Sequence, residues 1–231
     1  MKAKIVHVLC EGQTEQGFVE DVLKPYLLEN GCAAVKSILV TTNKRMNACG
    51  GLESYQRVCN DLTIMLNANK DGEFERHIFT TMFDLYALPK EFPGYDEAHN
   101  IPDRYKRVAA LENAFAGAIA SDRFIPYIQL HEYEALVFCG LDYLCDMYKG
   151  TEKQIKQLND ELDRVGNPEL VNDNPNTAPS KRIIKAIEGG RKTRFKYDKP
   201  KTGKYVAMRV GLENLRKQCP HFNEWIIQLL K

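Results

Sequence analysis

HVLCEGQTEQGF, residues His7 to Phe18, decides the fold. An apolar, strand-like run from Lys4 to Leu9 ends in Glu11-Gly12. Apolar residues then recur as Phe18, Val22, Tyr26 and as Val19, Leu23, Leu27, the spacing of one helix face. Thr14 reads as the N-cap, with Glu15 favourable in the first turn. Pro25 is expected to bend this helix or cut it short. A strand that runs into a carboxylate and a glycine places that carboxylate at its carboxyl end, where open parallel sheets bind ligands. Glu11 is therefore either a solvated loop residue or a catalytic one.

Working outward, Ala34 to Thr42 shows β-branched alternation and reads as a second strand. Gly50-Gly51 precedes a helix over Glu53 to Ala68, and His77 to Phe83 is a third apolar, β-rich run ending in Asp84. A proline- and aromatic-rich loop leads to a helix over Arg104 to Ala120, and Phe124 to Leu130 reads as a fourth strand ending at His131-Glu132. The order β-α-β-α-β-α-β predicts an α/β fold, a mostly parallel four-stranded sheet flanked by helices. Beyond it, residues 132–148 read as an apolar helix, 152–164 as an exposed charged helix and 167–181 as a loop. Pro179 opens a short helix through Glu188, and two further helical segments run from Tyr205. Residues 1–140 are expected to form the core and 141–231 a C-terminal helical appendage packed on it.

The 32 Lys and Arg against 31 Asp and Glu give a net charge of +1, but the balance is uneven. Ten basic residues crowd between Lys181 and Lys204 against Glu188 and Asp198 alone. Such a block suits either a polyanion or a solvated loop. Its candidates for a nucleic-acid backbone are Lys181, Arg182, Arg191, Lys192, Arg194, Lys196, Lys201 and Lys204. Seven cysteines, odd in number and without a C-x-x-C pair, predict reduced thiols in a cytoplasmic protein. No apolar run is long enough to cross a bilayer, so no membrane partner is expected. The amino-terminal stretch meets a glutamate before any cleavage site and reads as a strand, not a signal peptide.

Three strands end in acids: Glu11, Asp84 and Glu132. In a parallel sheet those ends share one edge. Glu15 stands one helical turn beyond Glu11, and Glu134 two residues beyond Glu132. Clustered carboxylates repel one another unless a cation lies between them, and an all-oxygen set suits Mg²⁺ or Mn²⁺. Capping loops also use Asp and Glu, so each acid has a structural alternative.

E-G-x-x-E at Glu11 to Glu15 after a first strand, with strand-end Asp84, resembles the Toprim fold of topoisomerases, primases and related nucleases. More narrowly it resembles the OLD-type (overcoming lysogenization defect) nucleases. That likeness implies Glu11 and Glu15 as metal ligands or general acid/base groups and Asp84 as a metal ligand. Glu132-Tyr133-Glu134 falls where those nucleases carry a later S-x-E metal element, so Glu132 and Glu134 join the implied metal set, and Glu132 the implied catalytic one. A late catalytic lysine is also implied, with Lys181, Lys201 or Lys204 as candidates. Toprim proteins usually carry D-x-D where this chain has Asp84-Leu85-Tyr86, which puts the usual metal arrangement in doubt. The full chain is similar to a bacterial family, domain of unknown function 4276, through EGQTEQGF, FDLYALPKEFPG, PYIQLHEYEALVF, NTAPSKR and GLENLRKQCPHFNEW. That resemblance implies an ATPase partner and a role in defence against phage. The expected activity is metal-dependent cleavage of DNA or RNA. The alternatives are an inactive regulatory or binding subunit of an ATPase complex, and an enzyme acting on free nucleotides.

Other motifs carry less. His131-Glu132-Tyr133-Glu134-Ala135 has alanine where a zinc protease needs its second histidine, and His131 is expected either to touch the site or to pair with a neighbouring carboxylate. Gly189 to Thr193 lacks the phosphate-loop pattern. Ala207 and Gly211 have helix-turn-helix spacing, but core-packing helices fit better. Phe83, Tyr86, Phe92 and Tyr95 read as loop packing before base stacking. Cys219-Pro220-His221 reads as a helix-ending turn anchored by Phe222 and Trp225.

Overall fold

The computed structural model describes residues 2–41, 52–172, 174–189 and 195–231. The sheet is parallel throughout, in the order β2-β1-β3-β4, with β5 also on β3. Its strands are β1 (Ala3–Cys10), β2 (Cys32–Leu39), β3 (Glu75–Asp84), β4 (Phe124–Ile125) and β5 (Ile128–Gln129). β2 begins at Cys32 and ends at Leu39, short of the expected Thr42, which lies outside the described residues. The expected single strand from Phe124 to Leu130 is in fact two pieces. Pro126 has no N–H to offer the ladder, and the Thr81 hydroxyl bridges the gap, lying 3.0 Å from both the N and the O of Tyr127.

Strand alternation sends β1 and β3 side chains to two cores. Val6, Val8, Cys10, Ile78 and Met82 face one, built with α1 (Gln13–Phe18), α2 (Lys24–Glu29) and the C-terminal helices. Leu9, Phe79 and Phe83 face the other, under α3 (Tyr55–Ala68), α4 (Tyr95–His99) and α5 (Arg104–Ile119). Phe83 and Phe92 lie buried against Phe115, so the aromatic loop packs on its own core.

The first helix does not stop at Pro25. A π turn, Val19–Leu23, leads into α2 and the helix runs to Glu29. An i→i+5 turn ahead of the proline absorbs the bond its missing N–H cannot make. The stretch expected as one helix over 132–148 breaks at Gly140 (φ −150°, ψ 46°) into α6 (Glu134–Val137), a 3₁₀ segment (Phe138–Tyr143) and α7 (Leu144–Met147). A Cβ at Gly140 would run into Val206, Tyr143 and Val210, so close helix packing requires glycine there.

α8 (Glu152–Val165) is not wholly exposed, since Ile155 and Leu158 are buried. After α9 (Pro179–Glu188) come three helices where two were expected, α10 (Lys199–Val210), α11 (Leu212–Gln218) and α12 (Pro220–Leu230). Asp198 caps α10 by accepting from the Lys201 amide, so this helix starts six residues earlier than expected. Val206, Ala207, Val210, Leu212 and Leu215 are buried, the core role expected of this pair. Trp225 stacks on Tyr127 at 4.1 Å and donates to the Thr80 hydroxyl, which fixes α12 across the sheet. No helix among the described residues is long and apolar enough to cross a membrane, and the six described cysteines are free.

Candidate functional site

The carboxyl edge of the sheet brings Glu11, Glu15, Asp84 and Glu134 together, each held by a different local device. β1 stops at Cys10, which leaves the Asp84 amide on neighbouring β3 without a strand partner. Glu11 Oε2 accepts from it at 2.9 Å. Glu15 sits in the first turn of α1, and its Oε2 accepts from the Gly12 amide at 2.9 Å, half of a capping box. Gly12 has extended backbone (φ −149°), so its reason is not a left-handed turn. A Cβ there would meet Glu15 Oε2 at 3.2 Å, so glycine makes room for the carboxylate.

Asp84 Oδ1 accepts from the Tyr133 amide at 2.8 Å. That amide is aimed by His131, whose left-handed φ of 63° turns the chain as it leaves β5. The same residue's carbonyl takes the Tyr86 amide, and its Nδ1 lies 2.9 Å from the Tyr86 hydroxyl, which Asn172 Nδ2 also contacts at 3.0 Å. His131 is thus tied to a tyrosine through its Nδ1. Glu134, in the first turn of α6, is fully buried.

Lys199 is the cation of the group. Its Nζ lies 3.0 Å from Glu134 Oε2 and 3.8 Å from Asp84 Oδ2. The contact to Glu134 is a charge-assisted ion pair, with the ammonium set against the buried Oε2. Tyr197 OH lies 3.4 Å from Glu134 Oε1.

The electrostatics follow from crowding acids out of water. Burial pushes Glu134 up to about 7, opposed chiefly by Lys199 and reinforced by Glu132. Glu11 also rises to about 7 by burial, with the Asp84 amide opposing and Glu15 adding to it. Asp84 and Glu15 rise as well, both first through burial, and Asp84 then through Glu11 and Glu15. Burial disfavours the Lys199 ammonium, yet Glu134, Asp84 and Glu132 outweigh it and hold its pKa above the usual lysine value.

Glu132 turns elsewhere. It is half-buried, and its Oε1 accepts from the Ser180 amide at 2.6 Å, which caps the start of α9. Its charge still reaches Glu11, Glu134 and Lys199. Of the basic block, Lys181 donates to the Pro175 carbonyl, Arg182 pairs with Glu161 and Lys204 pairs with Asp21 at 2.9 Å. Lys196 and Lys201 are exposed. Arg191, Lys192 and Arg194 lie outside the described residues. Lys181, Arg182 and Lys185 also line a cleft of about 630 Å³ between α8 and α9, which none of the five acids lines.

Among the described residues no three His, Cys, Asp or Glu side chains are gathered closely enough to hold a metal ion as they stand. The donor chemistry nevertheless fits a hard divalent cation. Glu11, Glu15 and Asp84 each have one oxygen anchored by a backbone amide, which fixes the carboxylate and keeps the other for a second partner. Glu134 adds a buried carboxylate whose Oε2 is met by the Lys199 ammonium.

Sequence reasoning missed Lys199 and the Tyr133 amide. Lys199 had a signal, because a lysine in a helix's first turn sits against the dipole and calls for acids nearby. The Tyr133 amide had none, since any residue carries an N–H.

Fold and site together define a parallel α/β protein with a carboxylate cluster at the carboxyl edge of its sheet and a lysine set against it. The chain belongs to the family described as Domain of unknown function (DUF4276), which matches residues 10–230. No curated protein and no solved structure matches it.

Proposed function

We propose that this chain is a Toprim-like, divalent-metal-dependent phosphodiesterase, related to the OLD-type nucleases, that cuts DNA or RNA. The observation that carries the reading is the convergence of Glu11, Glu15, Asp84 and Glu134 at the carboxyl edge, where Glu15, Asp84 and Glu134 are buried and Glu11, Glu15 and Asp84 are anchored by backbone amides although the charges repel. Fixed acids that destabilise the fold are expected where function requires them. Mg²⁺ or Mn²⁺ held by these four, with Glu132 at the rim, would supply charge neutralisation at the phosphate and a water of lowered pKa. Glu15 is held by its capping bond to Gly12, so its carboxylate keeps one orientation. Alternatively Glu11, pushed up to about 7 in the metal-free site, would serve as general base instead of as a ligand. Exposed Lys196 and Lys201, flanking the start of α10, suit backbone phosphates, and affinity through them would fall with salt.

The test is cleavage of single- and double-stranded DNA and of RNA with Mg²⁺ or Mn²⁺, alone and with a partner ATPase, for wild type and Asp84→Ala. Metal-dependent cutting that Asp84→Ala abolishes supports the reading; cutting that survives the substitution refutes it. A second reading, a binding or regulatory subunit of an ATPase complex acting in phage defence, is favoured by Tyr86. It stands in place of a second aspartate, with its hydroxyl contacting Asn172 and His131. Absence of cutting under every condition, together with stable co-purification with an ATPase, would select it.

A further inference from the structure

Lys199 carries a charge that its own helix disfavours. It occupies the first turn of α10, the end of a helix that disfavours a cation. Pro200 and the Asp198 cap fix the start of the helix around it. Its ammonium nevertheless turns inward to Glu134 Oε2 at 3.0 Å and Asp84 Oδ2 at 3.8 Å, while its side chain keeps 37 % of its exposure. One end is thus among buried acids and a path to solvent stays open along the stem. A lysine ammonium is a compact point charge on a flexible four-carbon stem, able to enter or leave such a position without moving the backbone.

We propose that Lys199 is the resident counter-cation of the acid cluster, occupying the place a divalent ion takes and displaced outward when that ion binds. This rests on the metal reading above. Three observations support it. Asp84 and Glu134, two of the four acids assigned to the ion, are the ones Lys199 contacts. The charges of Glu11 and Glu132, beyond direct contact, also meet that of Lys199. No other Lys, Arg or His among the described residues forms an ion pair with Glu11, Glu15, Asp84 or Glu134. Empty of both cations, the site would leave buried repelling carboxylates uncompensated. Lys199 therefore sets a threshold, so the site fills only at an ion concentration sufficient to displace it.

The test is Mn²⁺ binding to the full chain, measured from the electron paramagnetic resonance signal of free Mn²⁺, for wild type, Lys199→Met and Lys199→Arg. Lys199→Met keeps the stem and removes the charge, and is expected to tighten Mn²⁺ binding at least tenfold, whereas Lys199→Arg stays within a few-fold of wild type. Because the neutral variant leaves the acids unpaired and its folding could suffer, a second measurement uses the wild-type protein alone. Acetylation of the Lys199 amine by a small anhydride, followed by mass spectrometry, should rise severalfold once Mn²⁺ saturates. Equal or weaker binding by Lys199→Met, or unchanged labelling while Mn²⁺ is bound, overturns the proposal and leaves the metal reading standing. If neither wild type nor Lys199→Met binds Mn²⁺, the metal reading fails and the proposal with it.

Discussion

Glu11→Gln should make this protein more stable while removing one of its proposed ligands. Burial pushes the Glu11 carboxyl from 4.5 up to about 7. A raised folded pKa means that the protonated form suits the fold. That contribution to stability is complete below pH 4.5 and is lost as the pH rises through 7. At about 1.4 kcal/mol per decade, ionised Glu11 costs ~3 kcal/mol above pH 7. Proton sharing with Glu15 and Asp84 lowers this to about 2–3 kcal/mol. Glutamine keeps an oxygen for the Asp84 amide but never ionises. Without divalent ion at pH 8.5, Glu11→Gln is expected to melt about 5–10 °C above wild type. At pH 5 the gap should shrink below ~1 kcal/mol. Added Mn²⁺ should stabilise wild type alone and narrow the gap at pH 8.5. Scanning calorimetry across this pH range decides it. A variant equal to or weaker than wild type at pH 8.5, or a gap indifferent to pH, would refute the reasoning.

Two further predictions concern how the site is held. A Cβ on Gly203 would enter the Tyr133 ring, so Gly203→Ala should destabilise by about 1–3 kcal/mol in urea and displace α10 with its Lys199. Combining it with Tyr133→Leu should recover part of the loss, and an unchanged urea midpoint for the single variant contradicts the packing argument. Glu169 is fully buried and accepts from the amides of His221 and Phe222 at 3.1 and 3.0 Å and from the Tyr105 hydroxyl at 3.0 Å. It caps α12 from outside the helix, so Glu169→Ala should cost about 3 kcal/mol by leaving buried donors unpaired. A loss under ~1 kcal/mol would mean that water replaces the carboxylate.

Local pattern made the layered α/β plan legible, because strand alternation and helix spacing are properties of neighbouring residues. It also made Glu11, Glu15 and Asp84 legible, since the carboxyl end of a parallel strand is a place that chain order alone defines. What it could not decide depended on contacts between distant segments. Pro126 splits the last strand only because Thr81 on β3 can bridge the break. Glu132 and Glu134 look interchangeable in HEYEA. The left-handed turn at His131 and the position of α9 send Glu132 to the Ser180 amide, and α6 buries Glu134 beside Lys199.

Lys199 itself lay in a run of ten basic residues that composition treats alike. Which of them reaches the acids is set by where α10 begins and how closely Gly203 lets it lie against Tyr133. The sequence by itself determined the layers and the edge where acids gather, because period and strand order are local. Only the tertiary structure decided which acids meet, which one caps a helix and which lysine faces them, because each is a distance between segments far apart in the chain.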